Sequence, residues 1–65
     1  MKATLTIQMD NAAFEDSPGL ELAWILRELS GDIKNNRPNS VFVGNVLSIK
    51  DSNGNKVGSL TIEED

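Results

Sequence analysis

Carboxylates are the main side chains of this chain that could do acid–base or metal chemistry. The chain has ten acidic residues and no histidine, cysteine or tyrosine, so the commonest general base and the thiolate ligands of zinc are missing. Glu15 and Asp16 are adjacent, but neighbouring side chains usually diverge and no third ligand is evident near them. The sequence therefore predicts no enzyme, no metal site and no cofactor.

A second oxygen-rich segment lies at residues 51–55, where D-S-N-G-N resembles the first half of a calcium loop. A complete calcium loop needs glycine at its sixth position and glutamate at its twelfth. Lys56 and Ile62 occupy those positions here. We therefore expect this segment to form a turn rather than a calcium site.

An apolar pair stands out on the predicted helix. Trp24 and Leu20 are four residues apart, so they touch each other, and they fall opposite the apolar stripe that should face the core. One interpretation is an aromatic anchor inside a ring of charges, as in binding hot spots. The alternative is that the following loop or Phe42 folds over the pair and buries it. The core stripe consists of Leu22, Ile25, Leu26 and Leu29, with Ile33 extending it.

Acidic residues before and along the helix suggest a docking face. Such a face could bind the basic groove of a partner in a salt-sensitive way. The alternative is an ordinary solvated surface. The candidate partner-binding residues are Glu15, Asp16, Leu20, Glu21, Trp24 and Glu28.

Composition limits the class of protein. The chain has 65 residues, a net charge of −4 and 38% hydrophobic residues, which suits one small domain over residues 1–65 with a thin two-layer core. Direct binding to nucleic acid or to an anionic membrane is not expected, since both need a basic surface. The short apolar runs predict no membrane span.

The first half of the chain predicts a strand and a helix. Residues 2–9 alternate between apolar and polar side chains, which is typical of a half-buried strand. Ser17 as N-cap and Pro18 at the first helical position predict a helix start. A glycine at position 31 predicts its end at or just after Ser30, with a last turn through Lys34 as the alternative.

The second half predicts a loop and a β-hairpin. Residues 31–40 carry glycine, proline and asparagine and suggest a loop, and residues 41–50 suggest a strand in which Gly44 marks a bulge or a close approach. The Asn53-Gly54 dipeptide predicts a two-residue type I′ turn before a third strand, Lys56–Glu63.

Pairing outward from this turn places Leu47 opposite Leu60 and Asp51 opposite Lys56. The resulting order is β-α-β-β. A right-handed crossover then predicts an α+β fold, with one helix packed on a three-stranded, mostly antiparallel sheet of order 1-3-2.

The motifs resemble a family of short phage and prophage proteins. Those proteins share a strand followed by D-N-A-A-F-E-D-x-P-G-x-E-L-x-x-I-L-R, which matches residues 10–27, and a D-x-N-G-N-x-V-G hairpin, which matches residues 51–58. The resemblance covers both ends and about half of the chain. It implies origin in a mobile genetic element and a cytoplasmic location in the host bacterium, and it supplies no catalytic residues.

Many small acidic proteins of such elements are anti-CRISPR proteins, and the expected fold is similar to that of at least one inhibitor of the type I (Cascade) class. The resemblance thus implies a non-enzymatic inhibitor that binds a bacterial type I CRISPR effector complex, for example a Cascade subunit, and blocks nucleic-acid binding. The alternative is a phage structural or adaptor module acting by self-association or protein binding. Either way, the expected state is a monomer or a weak homodimer.

Overall fold

A computed structural model describes residues 1–65. The strands are β1 (Lys2–Ile7), β2 (Val46–Lys50) and β3 (Lys56–Glu63), and the helix α1 spans Pro18–Asn36. A single turn of 3-10 helix, Ala12–Phe14, precedes α1. The fold is α+β with the element order β-α-β-β, which confirms the prediction.

The sheet has the order β1-β3-β2, and β3 pairs antiparallel with both neighbours. Leu60 at its centre lies opposite Leu5 of β1 and Leu47 of β2. Side chains directly opposite one another point to the same face. The predicted order and the Leu47–Leu60 pairing are therefore confirmed, and the apolar residues of all three strands share the face that carries the helix.

The helix does not cover the sheet evenly. Among the strands, α1 packs most closely against β2, so the core lies beneath the β2 side of the sheet, whereas Leu5 on β1 keeps 39% of its surface exposed. The buried apolar residues of the core are Phe14, Ile25, Leu47, Ile49, Val57, Leu60 and Ile62.

The helix is longer than the sequence predicted. It continues through Gly31 to Asn36 instead of ending near Ser30 or Lys34. Two hydrogen bonds favour the extra turn: Asn36 Nδ2 donates to Asp32 Oδ1 and Arg37 Nε donates to Asp32 Oδ2, each at 2.9 Å. Ile33, which packs against the core, adds an apolar contact.

The start of α1 is at Pro18, as predicted, but the role assigned to Ser17 is only half right. Ser17 holds the N-cap position and its carbonyl accepts a hydrogen bond from the Glu21 N–H at 3.1 Å. Its side chain makes no capping hydrogen bond. The proline at the first helical position, where no donor is needed, defines the start instead.

The second strand begins at Val46, five residues later than predicted. A turn at residues 42–45 occupies the preceding stretch: Asn45 N–H donates to the Phe42 carbonyl at 3.0 Å, and Phe42 N–H donates to Asn45 Oδ1 at 2.7 Å. Gly44 has a φ of +97°, a conformation that glycine adopts without steric cost. The glycine is a turn residue rather than part of a strand.

The hairpin turn also differs from the prediction. Gly54 N–H donates to the Asp51 carbonyl at 3.0 Å, and Asp51 N–H donates to the Asn55 carbonyl at 2.9 Å. Gly54 has a φ of +86°, whereas no residue other than glycine has a positive φ. A type I′ turn would need a positive φ at Asn53 as well. The loop is therefore the three-residue kind, which ends in a glycine bulge.

The bulge changes the strand register next to the turn. Lys50, not Asp51, lies opposite Lys56, and the shift falls between Ile49 and Lys50. Val57 is consequently buried in the core although strict alternation would place it on the other face. The turn geometry, set by the Asp51 side chain as described below, is the physical reason for this correction.

Candidate protein-binding surface

Glu21 was predicted to be a surface acid and is not one. Its residue is 9% exposed, and its carboxylate accepts two hydrogen bonds from Ser52: from the backbone N–H at 2.8 Å and from the hydroxyl at 2.7 Å. Both oxygens are thus used within the fold. Glu21 therefore leaves the set of acids that can meet a partner.

Asp51 is even more enclosed, at 2% exposure. Its Oδ1 accepts the N–H groups of Asn53 and Asn55, both at 2.9 Å, and its Oδ2 accepts Asn11 Nδ2 at 2.6 Å. Accepting the N–H two residues ahead is the side-chain hydrogen bond that organises an Asx turn. This residue is what selects the three-residue loop over the type I′ turn.

Two opposing effects act on the pKa of Asp51. Burial is the largest single effect and raises the pKa, but the hydrogen bonds donated by Asn55, Asn11 and Asn53 together outweigh it. The result is a pKa below the ordinary aspartate value. The carboxylate is therefore held in its charged form at neutral pH.

Asn11, Glu21, Asp51 and Ser52 together form what we call the closing cluster. Asn11 also accepts the Ala13 N–H at 3.1 Å, which orients the amide that donates to Asp51. Two of its members come from the N-terminal motif and two from the hairpin motif. The polar residues of both motifs are thus joined to each other, so their presence is explained by folding rather than by binding.

The remaining candidate residues lie on the surface. Glu15 and Asp16 are both exposed between the 3-10 turn and α1. Leu20 is 74% exposed and Trp24 37%, and Glu28 is exposed one turn beyond. We call Leu20, Trp24 and Glu28 the helix flank.

The alternative in which the loop or Phe42 buries the apolar pair is wrong, since Phe42 itself is 60% exposed. The core stripe is also rotated relative to the prediction. Ile25 is buried but Leu26 is 42% exposed, and Glu21 takes an inward position. The reason is that the Ser52 turn packs against the first turn of α1 and needs a carboxylate there.

An open cleft of about 280 Å³ separates the helix flank from β2. Trp24 forms one wall, and the floor consists of core residues. The cleft was not predicted, because its walls come from segments more than twenty residues apart in sequence. Its lining residues are Trp24, Ile25, Glu28, Leu29, Asp32, Ser48, Ile49 and Lys50.

Two acids and one base surround the cleft. Asp32 is bound to Asn36 and Arg37, and those two hydrogen bonds, in that order, lower its pKa. The ion pair of Asp32 is with Arg37, while Glu28 and Lys50 take part in no salt bridge. Glu28 is therefore the carboxylate at this cleft that is free to pair with a partner's cation.

Comparisons with protein-family models, with curated proteins and with solved structures find no match for this chain. The resemblance to phage and prophage proteins therefore stays a prediction. No helix combines the length and apolar character that crossing a membrane requires. No group of three or more histidine, cysteine, aspartate or glutamate residues is placed to hold a metal ion.

Proposed function

We propose that this chain is a non-enzymatic protein-binding domain, a phage-encoded anti-CRISPR inhibitor that recognises a bacterial type I CRISPR effector complex through the helix flank. The observation that carries the proposal is Trp24, a half-exposed aromatic side chain at an open cleft with the unpaired Glu28 carboxylate beside it. The wider face includes Glu15 and Asp16, while Glu21 no longer belongs to it.

The chemistry of the helix flank suits a protein that presents arginine or lysine. An indole face attracts a cation within about 6 Å of its ring centre, and an adjacent carboxylate adds a charge-assisted hydrogen bond. Leu20 lies one turn away and is the most exposed large apolar residue of the chain. Buried aromatic anchors surrounded by polar contacts are typical of interface hot spots.

The target class is supported by the motif resemblance and by the net charge of −4. A type I complex must hold nucleic acid on a basic surface, and an acidic domain bound there would occlude it. The inhibitor would act stoichiometrically in the cytoplasm of the host bacterium. No chemical step by this chain is needed.

The direct test is a titration of the chain into a purified type I effector complex while binding of target DNA is measured. We expect DNA binding to fall to zero near one inhibitor per site, and the inhibition to weaken as salt is raised, because exposed charge pairs are screened. Capture of only itself or of phage structural proteins from a phage-infected lysate, with no effect on the complex, would favour the adaptor alternative.

Two variants locate the surface. Trp24→Ala should weaken binding by about 2 kcal/mol, or roughly thirtyfold, as loss of a hot-spot aromatic does. Glu28→Lys should weaken it by about tenfold. Glu64→Lys is the matched control, since it makes the same charge change at an exposed position away from the flank. Full inhibition by a folded Trp24→Ala/Glu28→Lys double variant would overturn the assignment of the flank.

A further inference from the structure

The outer edge of β1 is an unpaired strand edge whose polar groups can be assigned. Ile62 N–H donates to the Asn45 carbonyl, at 3.0 Å, so even-numbered residues of β3 face β2 and odd-numbered ones face β1. Gln8 N–H donates to the Val57 carbonyl at 2.7 Å, which agrees with this alternation. In an antiparallel ladder the N–H and C=O of one residue point the same way, so those of Ala3, Leu5 and Ile7 point outward.

This edge lacks the features that normally prevent strand pairing. Natural edges are protected by charges, prolines, bulges or a covering element. Within β1 the only charged residue is Lys2, at its start, and there is no proline. The outer edge of β2 is different, since it ends in Lys50 and borders the cleft that α1 closes on one side.

The apolar face of β1 is also incompletely covered. Leu5 lies directly opposite the buried Leu60, yet it stays 39% exposed because α1 packs over the β2 side of the sheet. Met9, just beyond the strand, is 40% exposed. An added strand would therefore gain hydrogen bonds and apolar contacts together.

We propose that the outer edge of β1 pairs with the β1 of a second copy of this chain, antiparallel about a two-fold axis at Leu5, which joins two three-stranded sheets into one. This inference does not depend on the proposed CRISPR target. An isologous contact of this kind closes on itself and leaves no further β1 edge free.

The sequence of β1 is self-complementary in this register. Leu5 faces Leu5 of the second copy, and Ala3 faces Ile7, so the apolar side chains form one continuous row. Lys2 faces Gln8, and the two Lys2 side chains lie about 20 Å apart, well beyond the screening distance. On the opposite sheet face, Thr4 meets Thr6. No charged residue is placed opposite a like charge.

The test is the mass in solution, measured by light scattering and sedimentation across a wide range of concentrations. We expect a reversible dimer that added salt strengthens, since each copy carries a charge of −4 and salt screens their repulsion. Binding to a basic target should respond to salt in the opposite direction, so the failure of one proposal is distinguishable from the failure of the other.

Leu5→Lys should weaken the dimer by about tenfold or more, because it places two like charges directly opposite each other. Val46→Lys is the matched control: Val46 is a 63% exposed apolar residue on the other edge strand, and its change should leave the dimer intact. Circular dichroism establishes that both variants fold.

Amide hydrogen exchange tests the register without a mutation. In the dimer, the amides of Ala3, Leu5 and Ile7 should become protected, whereas those of Thr4 and Thr6 are protected in monomer and dimer alike. A strict monomer at all concentrations would overturn the proposal. So would a dimer that leaves the three outward amides unprotected or one that Val46→Lys dissociates.

Discussion

Glu21 and Glu28 are the same residue type, two turns apart on the same helix, and the fold gives them opposite roles. Glu21 is buried in the closing cluster with both oxygens bound to Ser52. Glu28 is exposed beside Trp24 at an open cleft and has no ion pair. One carboxylate stabilises the fold, and the other is free for a partner.

The difference shows what decides the role of a charged residue on a helix. The position on the helix is insufficient, because the element that packs against it supplies or withholds donors. At Glu21 the hairpin turn offers a backbone N–H and a hydroxyl, and burial of a charge is tolerated when such donors satisfy it. At Glu28 the facing strand leaves open space. The predictions below test this contrast, from the largest expected effect to the smallest.

The largest effect should come from a glycine on the closed side of the molecule. A Cβ built on Gly58 would lie 1.8 Å from the Thr6 carbonyl oxygen, so Gly58→Ala must push β1 away from β3. We expect a loss of about 3 kcal/mol in the free energy of unfolding, in line with severe overpacking. Urea denaturation measures it.

Gly31 is the matched control for that substitution. It lies within α1 with no atom within 4 Å of a Cβ built on it, so Gly31→Ala should raise the stability by about 0.5–1 kcal/mol through helix propensity. A similar loss at both positions would contradict the close approach of β1 to Gly58.

The second effect separates the two glutamates directly. Glu21→Ala removes two charge-assisted hydrogen bonds and leaves the Ser52 donors unpaired, so we expect a loss of about 2–3 kcal/mol. Glu28→Ala should change the stability by less than about 0.5 kcal/mol, while it weakens binding of the basic target. Equal stability losses in denaturant titrations would contradict the contrast between the two sites.

The third effect concerns acid pH. Because the pKa of Asp51 is lowered in the folded state, its stabilising contribution is complete above the ordinary aspartate pKa and is lost as the pH falls through the folded value. Asp51→Asn should therefore be less stable than the parent chain at neutral pH, and the difference should shrink progressively below about pH 4. Denaturant titrations over a pH series measure it.

The control for that experiment is Asp16→Asn, which removes one negative charge at an exposed position. It should follow the parent chain across the whole pH range. A constant difference between Asp51→Asn and the parent at every pH would show that the carboxylate charge is not the source of the stabilisation.

Much of the fold was predictable because local periodicity and turn residues carry it. The alternation in β1, the Pro18 start of α1 and the Leu47–Leu60 pairing follow from side-chain patterns that have few structural solutions. The errors lie where a distant or unusual contact overrides a local preference. Gly31 did not end α1, because Asp32 and Ile33 made the next turn favourable.

The candidate site was predictable only in part. The exposure of Leu20 and Trp24 followed from helical geometry, but the cleft beside them depends on where β2 passes. The burial of Glu21 had no sequence signal of its own. A hint lay in the Asp51 segment, since an aspartate before a tight turn commonly accepts the turn's N–H groups.

The sequence by itself determined the elements, their order and the pairing of the hairpin, because those depend on periodicity, turn chemistry and handedness over short range. Only the tertiary structure decided which acids are enclosed and which are free, and which sheet edge is left bare. Both depend on how α1 sits across the sheet, over β2 and away from β1. That placement brings the hairpin turn onto Glu21 and leaves Trp24, Glu28 and Leu5 exposed, and no local pattern encodes it.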